Sequence, residues 1–273
     1  MFKGLYTATS GMMASERKQQ FLTNNLSNAE TPGFKQDEAT FRSFPEYLMK
    51  ERNTNTPTPH SSIGTLQTGV YSQEGIPNFS SGSLKETSKQ TDLALIDENL
   101  PIDSETGKKG LALFGVRLDD NAIRYTRNGN FSVNEDGFLT TSEGYQVVDE
   151  DLQPIQLTSD SFTMTDEGTL REENGNEQQL WIGYTGDPAK LTQQGNGVFT
   201  WEGNEEDAPR SIQTTDYTQY AVKQGFLEGS NVDMTTTMTD MLNTYRLYEA
   251  NQKVLQTYDQ SIDKAVNDIG RVY

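Results

Sequence analysis

The 273-residue sequence has no cysteine. That excludes a disulfide framework, a thiolate zinc site and a cysteine nucleophile. It has a single histidine, His60, so any serine-histidine-acid triad would have to use it. His60 sits in Thr58-Pro59-His60-Ser61-Ser62 without a nucleophile-elbow sequence and reads as a solvated loop residue. The start, Met1-Phe2-Lys3-Gly4-Leu5-Tyr6, lacks the uninterrupted apolar run of a secretory signal peptide, and no stretch approaches the roughly 20 apolar residues of a membrane span. The expectation is a protein that is cytoplasmic or exported without cleavage, and not inserted in a membrane. Positive charge is also scarce, with 22 Lys and Arg against 40 Asp and Glu and a net charge of -18. Residues 91 to 210 hold 24 acids and 8 bases, the first 90 residues 8 acids and 9 bases, and residues 211 to 273 8 acids and 5 bases. A strongly acidic middle repels phosphate backbones and argues against nucleic-acid binding. Near-neutral ends can associate with copies of themselves at little Coulomb cost.

What is present is a folded, rather polar chain, 33% hydrophobic, with 12 Tyr, 12 Phe and 2 Trp. Phe2, Leu5, Met12, Leu22 and Leu26 recur at helical intervals from Phe2 to about Asn28, and the polar run Ser15 to Gln20 leaves that stripe thin. Thr31-Pro32-Gly33 should stop the helix. Asn53 to Ser88, rich in Thr, Pro, Ser and Gly, reads as extended connector with short strands near Gly69-Val70-Tyr71 and Leu84. In the middle, Asn128-Gly129 between Ile123–Thr126 and Phe131–Val133 suits a tight hairpin. Asp136-Gly137 and Glu143-Gly144 then mark a meander. Leu180–Tyr184 and Gly197–Trp201 either extend that sheet or form a second one.

The last stretch, Asn231 to about Ile269, has neither Gly nor Pro. Met234, Met238, Met241, Tyr245, Tyr248, Leu255, Ile262, Val266 and Ile269 fall on alternating 4 and 3 steps once Gln252 and Asp259 are counted in the seam. This predicts a coiled-coil-like face on a helix roughly 57 Å long, too long for the β middle to bury. Its stripe is either an intramolecular core or a seam between subunits, and the thin apolar face of the N-terminal helix favours the seam. The fold class expected is therefore α+β, a β-rich central domain with long N- and C-terminal helices that pair in a coiled-coil-like assembly region. Its divisions are an assembly helix at 1–35, connector at 36–90, acidic β domain at 91–210, return connector at 211–230 and assembly helix at 231–273.

No constellation of catalytic type accompanies this pattern. The acidic clusters Asp119-Asp120, Asp149-Glu150-Asp151, Glu172-Glu173 and Glu205-Glu206-Asp207 read as solvated faces, no EF-hand-like loop is present, and Gly195-Asn196-Gly197 reads as a turn. No cofactor or metal is expected, and no enzyme activity.

Four stretches resemble the flagellar basal-body rod and hook protein family. They are Asn24 to Lys35 (Asn24-Asn25-Leu26-Ser27-Asn28-Ala29-Glu30-Thr31-Pro32-Gly33-Phe34-Lys35), Phe79 to Ile96, Tyr125 to Leu139 with Arg127-Asn128-Gly129, and Gln224 to Asp233 followed by Arg246 to Lys253. They follow family order along nearly the whole chain, and the length is most similar to a distal-rod (hook-basal body) protein. The chain departs from the pattern in an acidic, Gly-rich insertion at Asp97 to Gly110, and in Thr235-Thr236-Thr237 where the family has an acidic residue. The resemblance implies a structural, self-assembling subunit of the bacterial flagellum, exported by the flagellar type III apparatus, with both terminal helices lining an inner tube and the β domain outside. Its implied partners are itself and other axial proteins of the rod and hook. Candidate assembly residues are Leu5, Met12, Leu22, Asn24, Asn25, Asn28, Gly33 and Phe34 at the start. At the end they are Asn231, Val232, Asp233, Met238, Met241, Tyr245, Arg246, Tyr248, Asn251, Leu255 and Ile262. The amides of Asn24, Asn25 and Asn28 can either cap the helix or bond a neighbouring subunit. The competing reading is a carbohydrate-binding β module on helical stalks, with Trp181 and Trp201 as its stacking residues.

Overall fold

The helical periodicity at the two ends becomes two long helices, α1 (Lys3–Ser27) and α2 (Met234–Lys264), the second continued by a π-helical turn at Ala265–Ile269. The chain between them is built of short strands, so the class is α+β, an N-terminal helix, a β-rich body and a C-terminal helix. The computed structural model describes residues 3–50, 62–73, 75–97, 100, 109–118, 122–204, 207–212 and 220–269. His60, Asp119-Asp120, Glu205-Glu206 and most of the Asp97 to Gly110 insertion lie outside the described residues. Among the described residues no helix is long and apolar enough to cross a membrane. The chain divides into two units, one built from α1, Asp37–Ile76 and the chain from Asp233 onward, the other from Asn28–Gln36 and Pro77–Val232.

In the first unit α1 and α2 lie side by side and antiparallel, since Gly4 faces Tyr258 and Gly11 faces Asn251. The face that α1 turns inward is made of small residues. Ala8, Ala14, Ser15, Leu22 and Asn25 are buried, and a Cβ on Gly4 would collide with the Tyr258 hydroxyl. So close an approach leaves room on α2 for Thr237 and Thr244, both buried, and for half-buried Met241, Tyr248, Asn251, Leu255, Tyr258 and Ile262. These eight keep the alternating 4 and 3 spacing of the sequence, but the packed stripe is rotated from the one hydropathy suggests. Met234, Met238 and Tyr245 are left 43%, 50% and 48% exposed. Asp233 caps α2, its carboxylate accepting the Thr235 amide at 2.9 Å and the Thr236 hydroxyl at 2.8 Å.

The described residues on either side of 51–61 form short paired strands. Phe41–Ser43 pairs with Val70–Ser72 and Tyr47–Lys50 with Ser62–Leu66, in one register (Phe41 opposite Ser72, Tyr47 opposite Leu66), so both pairs belong to one antiparallel ribbon. The ribbon docks on α1, where the Thr7 hydroxyl donates to the Thr68 carbonyl at 2.9 Å and the Val70 amide donates to Ser10 Oγ at 3.3 Å.

In the second unit the strand Leu111–Arg117, buried from Leu111 through Val116, is the centre of a nine-stranded antiparallel sheet. It pairs with Ile123–Thr126, Gln146–Val147 and Ile182–Thr185. Leu180–Tyr184 and Gly197–Trp201 thus extend one sheet, while a separate three-stranded sheet forms from Phe162–Met164, Thr169–Glu172 and Glu177–Gln179. The Asp136-Gly137 turn joins the paired strands Phe131–Val133 and Leu139–Thr141. The hairpin expected at Asn128-Gly129 does not form. Ile123–Thr126 pairs with Leu111–Arg117 and Val198–Trp201 instead, and Arg127 to Gly129 dive inward, where Gly129 O accepts the Leu93 amide at 3.0 Å. What overrides the local turn signal is the burial of Arg127, which needs acceptors that no exposed turn supplies.

Candidate assembly sites: a buried ionic junction and the paired helices

Four charged residues meet inside the second unit, Lys35, Asp97, Arg127 and Glu228, each buried. The sequence brings Lys35 there through Thr31-Pro32-Gly33. Gly33 adopts φ +68°, a left-handed value that glycine tolerates, and a Cβ on it would lie 2.5 Å from the Arg127-Asn128 backbone. The Gly33 amide donates to the Glu228 carbonyl at 2.8 Å, and Lys35 Nζ reaches Glu228 Oε1 at 2.8 Å and the Ser80 carbonyl at 2.9 Å. Glu228 Oε1 also accepts the Gly82 amide at 2.9 Å. Arg127 spreads its guanidinium over Glu228 Oε2, Asp97 Oδ2 at 2.9 Å, the Leu95 carbonyl at 2.9 Å and the Ala112 carbonyl.

Two cations and two anions cancel, so the junction is neutral, and nearly every donor and acceptor in it is used. Burial alone would push the Glu228 carboxyl up, but the Arg127 and Lys35 charges outweigh it and hold Glu228 below its ordinary value. Burial also opposes the Arg127 charge, and Glu228 and Asp97 overcome it, raising the guanidinium further. Lys35 goes the other way. Its desolvation, aided by Arg127 repulsion, exceeds the pull of Glu228 and lowers its ammonium from the usual value. The cluster is saturated by its own charges and by backbone groups. It locks Asn28–Gln36, the segment after Asn78, the Arg127 loop and the strand Phe226–Glu228 to one another.

The sequence-derived assembly residues fall into three settings. Within the second unit, Gly33 adjoins the junction, and Phe34 and Val232 are buried. Asn231 works beside them, with its Oδ1 accepting the Gln36 amide at 2.8 Å and its Nδ2 donating to the Asn78 carbonyl at 2.7 Å and to Ser80. Asn28 accepts the Thr31 hydroxyl at 3.2 Å. In the first unit, Asn25 is 1% exposed and bonds both backbone groups of Asp37, at 2.9 and 3.0 Å, and Asp233 caps α2. Leu22, Met241, Tyr248, Asn251, Leu255 and Ile262 lie on the packed side of the helix pair, with Leu5 and Met12 half-buried. Asn24, Met238, Tyr245 and Arg246 are on exposed faces of the helices.

The charged residues of the junction were not singled out by the sequence reading. Their signal was local, each a charge next to or within an apolar run: Phe34-Lys35, Tyr125-Thr126-Arg127 and Phe226-Leu227-Glu228. The stacking role expected of Trp181 is also overturned. It is 7% exposed and stacked on Tyr125 at 5.7 Å, with the backbone of Gly115 and Gly183 against its ring. No sugar can reach it.

Comparison with known proteins adds the following. Residues 5–35 match the family described as flagella basal body rod protein, residues 109–171 the flagellar hook protein FlgE/F/G D1 domain, and residues 223–268 the flagellar basal body rod FlgEFG protein C-terminal region. The chain is 41% identical to the flagellar hook-basal body complex protein FlhO of Bacillus subtilis, over 100% of both chains. It is 28% identical to the flagellar basal-body rod protein FlgG of Borreliella burgdorferi over 98% of each chain. To FlgG of Bacillus subtilis it is also 28% identical, over 98% of this chain and 99% of that one.

Proposed function

This chain belongs to the flagellar basal-body rod and hook protein family, as a structural subunit of the basal body, and we propose that its place there is the distal rod or rod–hook region. In this reading it polymerises in helical order with itself and with other axial proteins through the segments 1–35 and 231–273. The terminal helices pair in coiled-coil fashion within and between subunits. The resulting tube transmits torque and surrounds an export channel, and the chain reaches it through the flagellar type III apparatus without a cleaved signal peptide. The observation that carries this is the apolar surface left outward on the paired helices, with Tyr6 69%, Met13 64%, Met238 50%, Leu242 61% and Tyr245 48% exposed. An intramolecular helix pair that was the whole purpose of α2 would turn such residues inward. The near-neutral ends and acidic middle fit the same division, since only the ends can be buried against copies of themselves at low electrostatic cost.

The test is motility and basal-body electron microscopy in a cell whose copy lacks residues 231–273. Loss of swimming with truncated rods or hookless basal bodies is expected. Normal flagella would refute an assembly role for α2.

A further inference from the structure

Without cysteine, all sulfur oxidation in this chain falls on its 8 methionines. Their placement is uneven. Met234, Met238 and Met241 follow one another at 4 and 3 residues in the first two turns of α2, where Met234 is 43% and Met238 50% exposed. Met13 on α1 is 64% exposed, whereas Met164 in the β body is 8% exposed. Met234 and Met238 share their side of the helix with Leu242, 61% exposed, and Tyr245, 48% exposed, so the two thioethers form half of a continuous apolar face.

We propose that Met234 and Met238 are a peroxide-responsive modification site, whose oxidation closes this face of α2 to a neighbouring subunit. The consequence for assembly rests on the function proposed above; the ranking of reactivity does not. In the reaction, a thioether sulfur attacks one oxygen of hydrogen peroxide, the O–O bond breaks, the sulfur keeps that oxygen as a sulfoxide and the other leaves as water. The product is polar and chiral where the parent was flexible and apolar. On the solvated helix of the isolated chain the change is tolerated, because water satisfies the new oxygen. Beneath another subunit the sulfoxide would be a buried acceptor without a donor. Subunits oxidised before incorporation are therefore excluded, and incorporated ones are shielded from the oxidant.

Two experiments test this. The full-length chain is exposed to dilute hydrogen peroxide and mapped by peptide mass spectrometry over time, with far-UV circular dichroism as a folding control. Met13, Met234 and Met238 are expected to gain oxygen about tenfold faster than Met164, following exposure of the thioether. Equal rates at Met164 and Met238 in the folded chain would overturn the site. In cells, the Met234→Gln/Met238→Gln variant imitates the polarity of the sulfoxide and Met234→Leu/Met238→Leu removes the sulfur while keeping the face apolar. The Gln variant should enter basal bodies about tenfold less than wild type, the scale of one unpaired polar group at an interface. The Leu variant should enter more readily than the Gln variant, and its own incorporation should not fall under a peroxide challenge that lowers wild-type incorporation. Equal incorporation of the Gln and wild-type chains would overturn the switch, as would equal peroxide sensitivity of the Leu and wild-type chains. If cells lacking residues 231–273 also build normal basal bodies, the failure belongs to the assembly reading, and the oxidation ranking stands or falls on the peptide map alone.

Discussion

Replacing Arg127 by methionine is the sharpest perturbation of the β body. Arg127 is 2% exposed, and its guanidinium serves two carboxylates and two carbonyl oxygens at once. Methionine fills much of the same volume but supplies no donor. Glu228 would keep Lys35 and the Gly82 amide, while among the described residues Asp97 would keep only a long bond from the Ser81 hydroxyl at 3.4 Å. Breaking a buried pair from one side costs about 3–5 kcal/mol, because the remaining charge stays desolvated. For a unit of this size that corresponds to a fall of roughly 6–20 °C in the melting temperature. Differential scanning calorimetry of the full chain, with near-UV circular dichroism to follow the buried Trp181 and Tyr125, would read it. An internal control is available in Arg171–Glu177, an ion pair at 2.8 Å whose side chains are 58% and 54% exposed. Arg171→Met should cost at most about 1 kcal/mol. If Arg127→Met melts within about 2 °C of wild type, or no lower than Arg171→Met, the junction does not hold the fold as argued.

Acid should act through the same residues. Glu228 is held below its ordinary value in the fold, so its contribution is fully present above the unfolded carboxylate value, about 4.3, and is lost as pH falls through the folded one. Glu228→Gln should flatten that acid limb in pH-dependent urea melts, and an unchanged limb would contradict the assignment. Asn25→Ala removes two hydrogen bonds to Asp37 from a site that is 1% exposed and should cost about 1–3 kcal/mol; a loss below about 0.5 kcal/mol in denaturant titration would show the pair to be incidental. Gly11→Leu places a side chain where even a Cβ would lie 2.9 Å from Asn251 Nδ2. Far-UV melts should show the helix pair weakened by about 1–3 kcal/mol with the β body's own transition unmoved. An unaltered helical melt would mean that α1 and α2 do not depend on this close approach.

The ends of the chain were legible because Phe2 to Asn28 and Asn231 to Ile269 have no competing signal. The absence of Pro and Gly from α2 and the Thr31-Pro32-Gly33 stop set their limits to within a few residues. What hydropathy missed was which side of α2 is packed. Gly4, Ala8, Gly11 and Ser15 carry almost no hydrophobicity, yet by being small they draw α2 in against its Thr237, Thr244 and Asn251 side. Asn128-Gly129 misled for a related reason. A turn dipeptide states what the backbone can do locally, whereas Arg127 beside it follows acceptors far away in sequence at Asp97 and Glu228. The apolar residues beside Lys35 and Glu228 mark each for burial, but nothing in the sequence marks a lysine and a glutamate separated by 193 residues as partners. The amides of Asn24, Asn25 and Asn28 leave two uses open in sequence, because a side chain that bonds its own backbone and one that bonds a neighbour look alike there.

The most direct test of the central claim is to see the chain in place. A short epitope inserted in the exposed turn at Asn174-Gly175, between the paired strands Thr169–Glu172 and Glu177–Gln179, leaves both helices and the ionic junction untouched. Immunogold electron microscopy of basal bodies purified from motile cells carrying that chain should place label on the axial structure between the basal rings and the hook. Purified basal bodies without label, from cells that make the tagged chain and swim normally, would contradict the account.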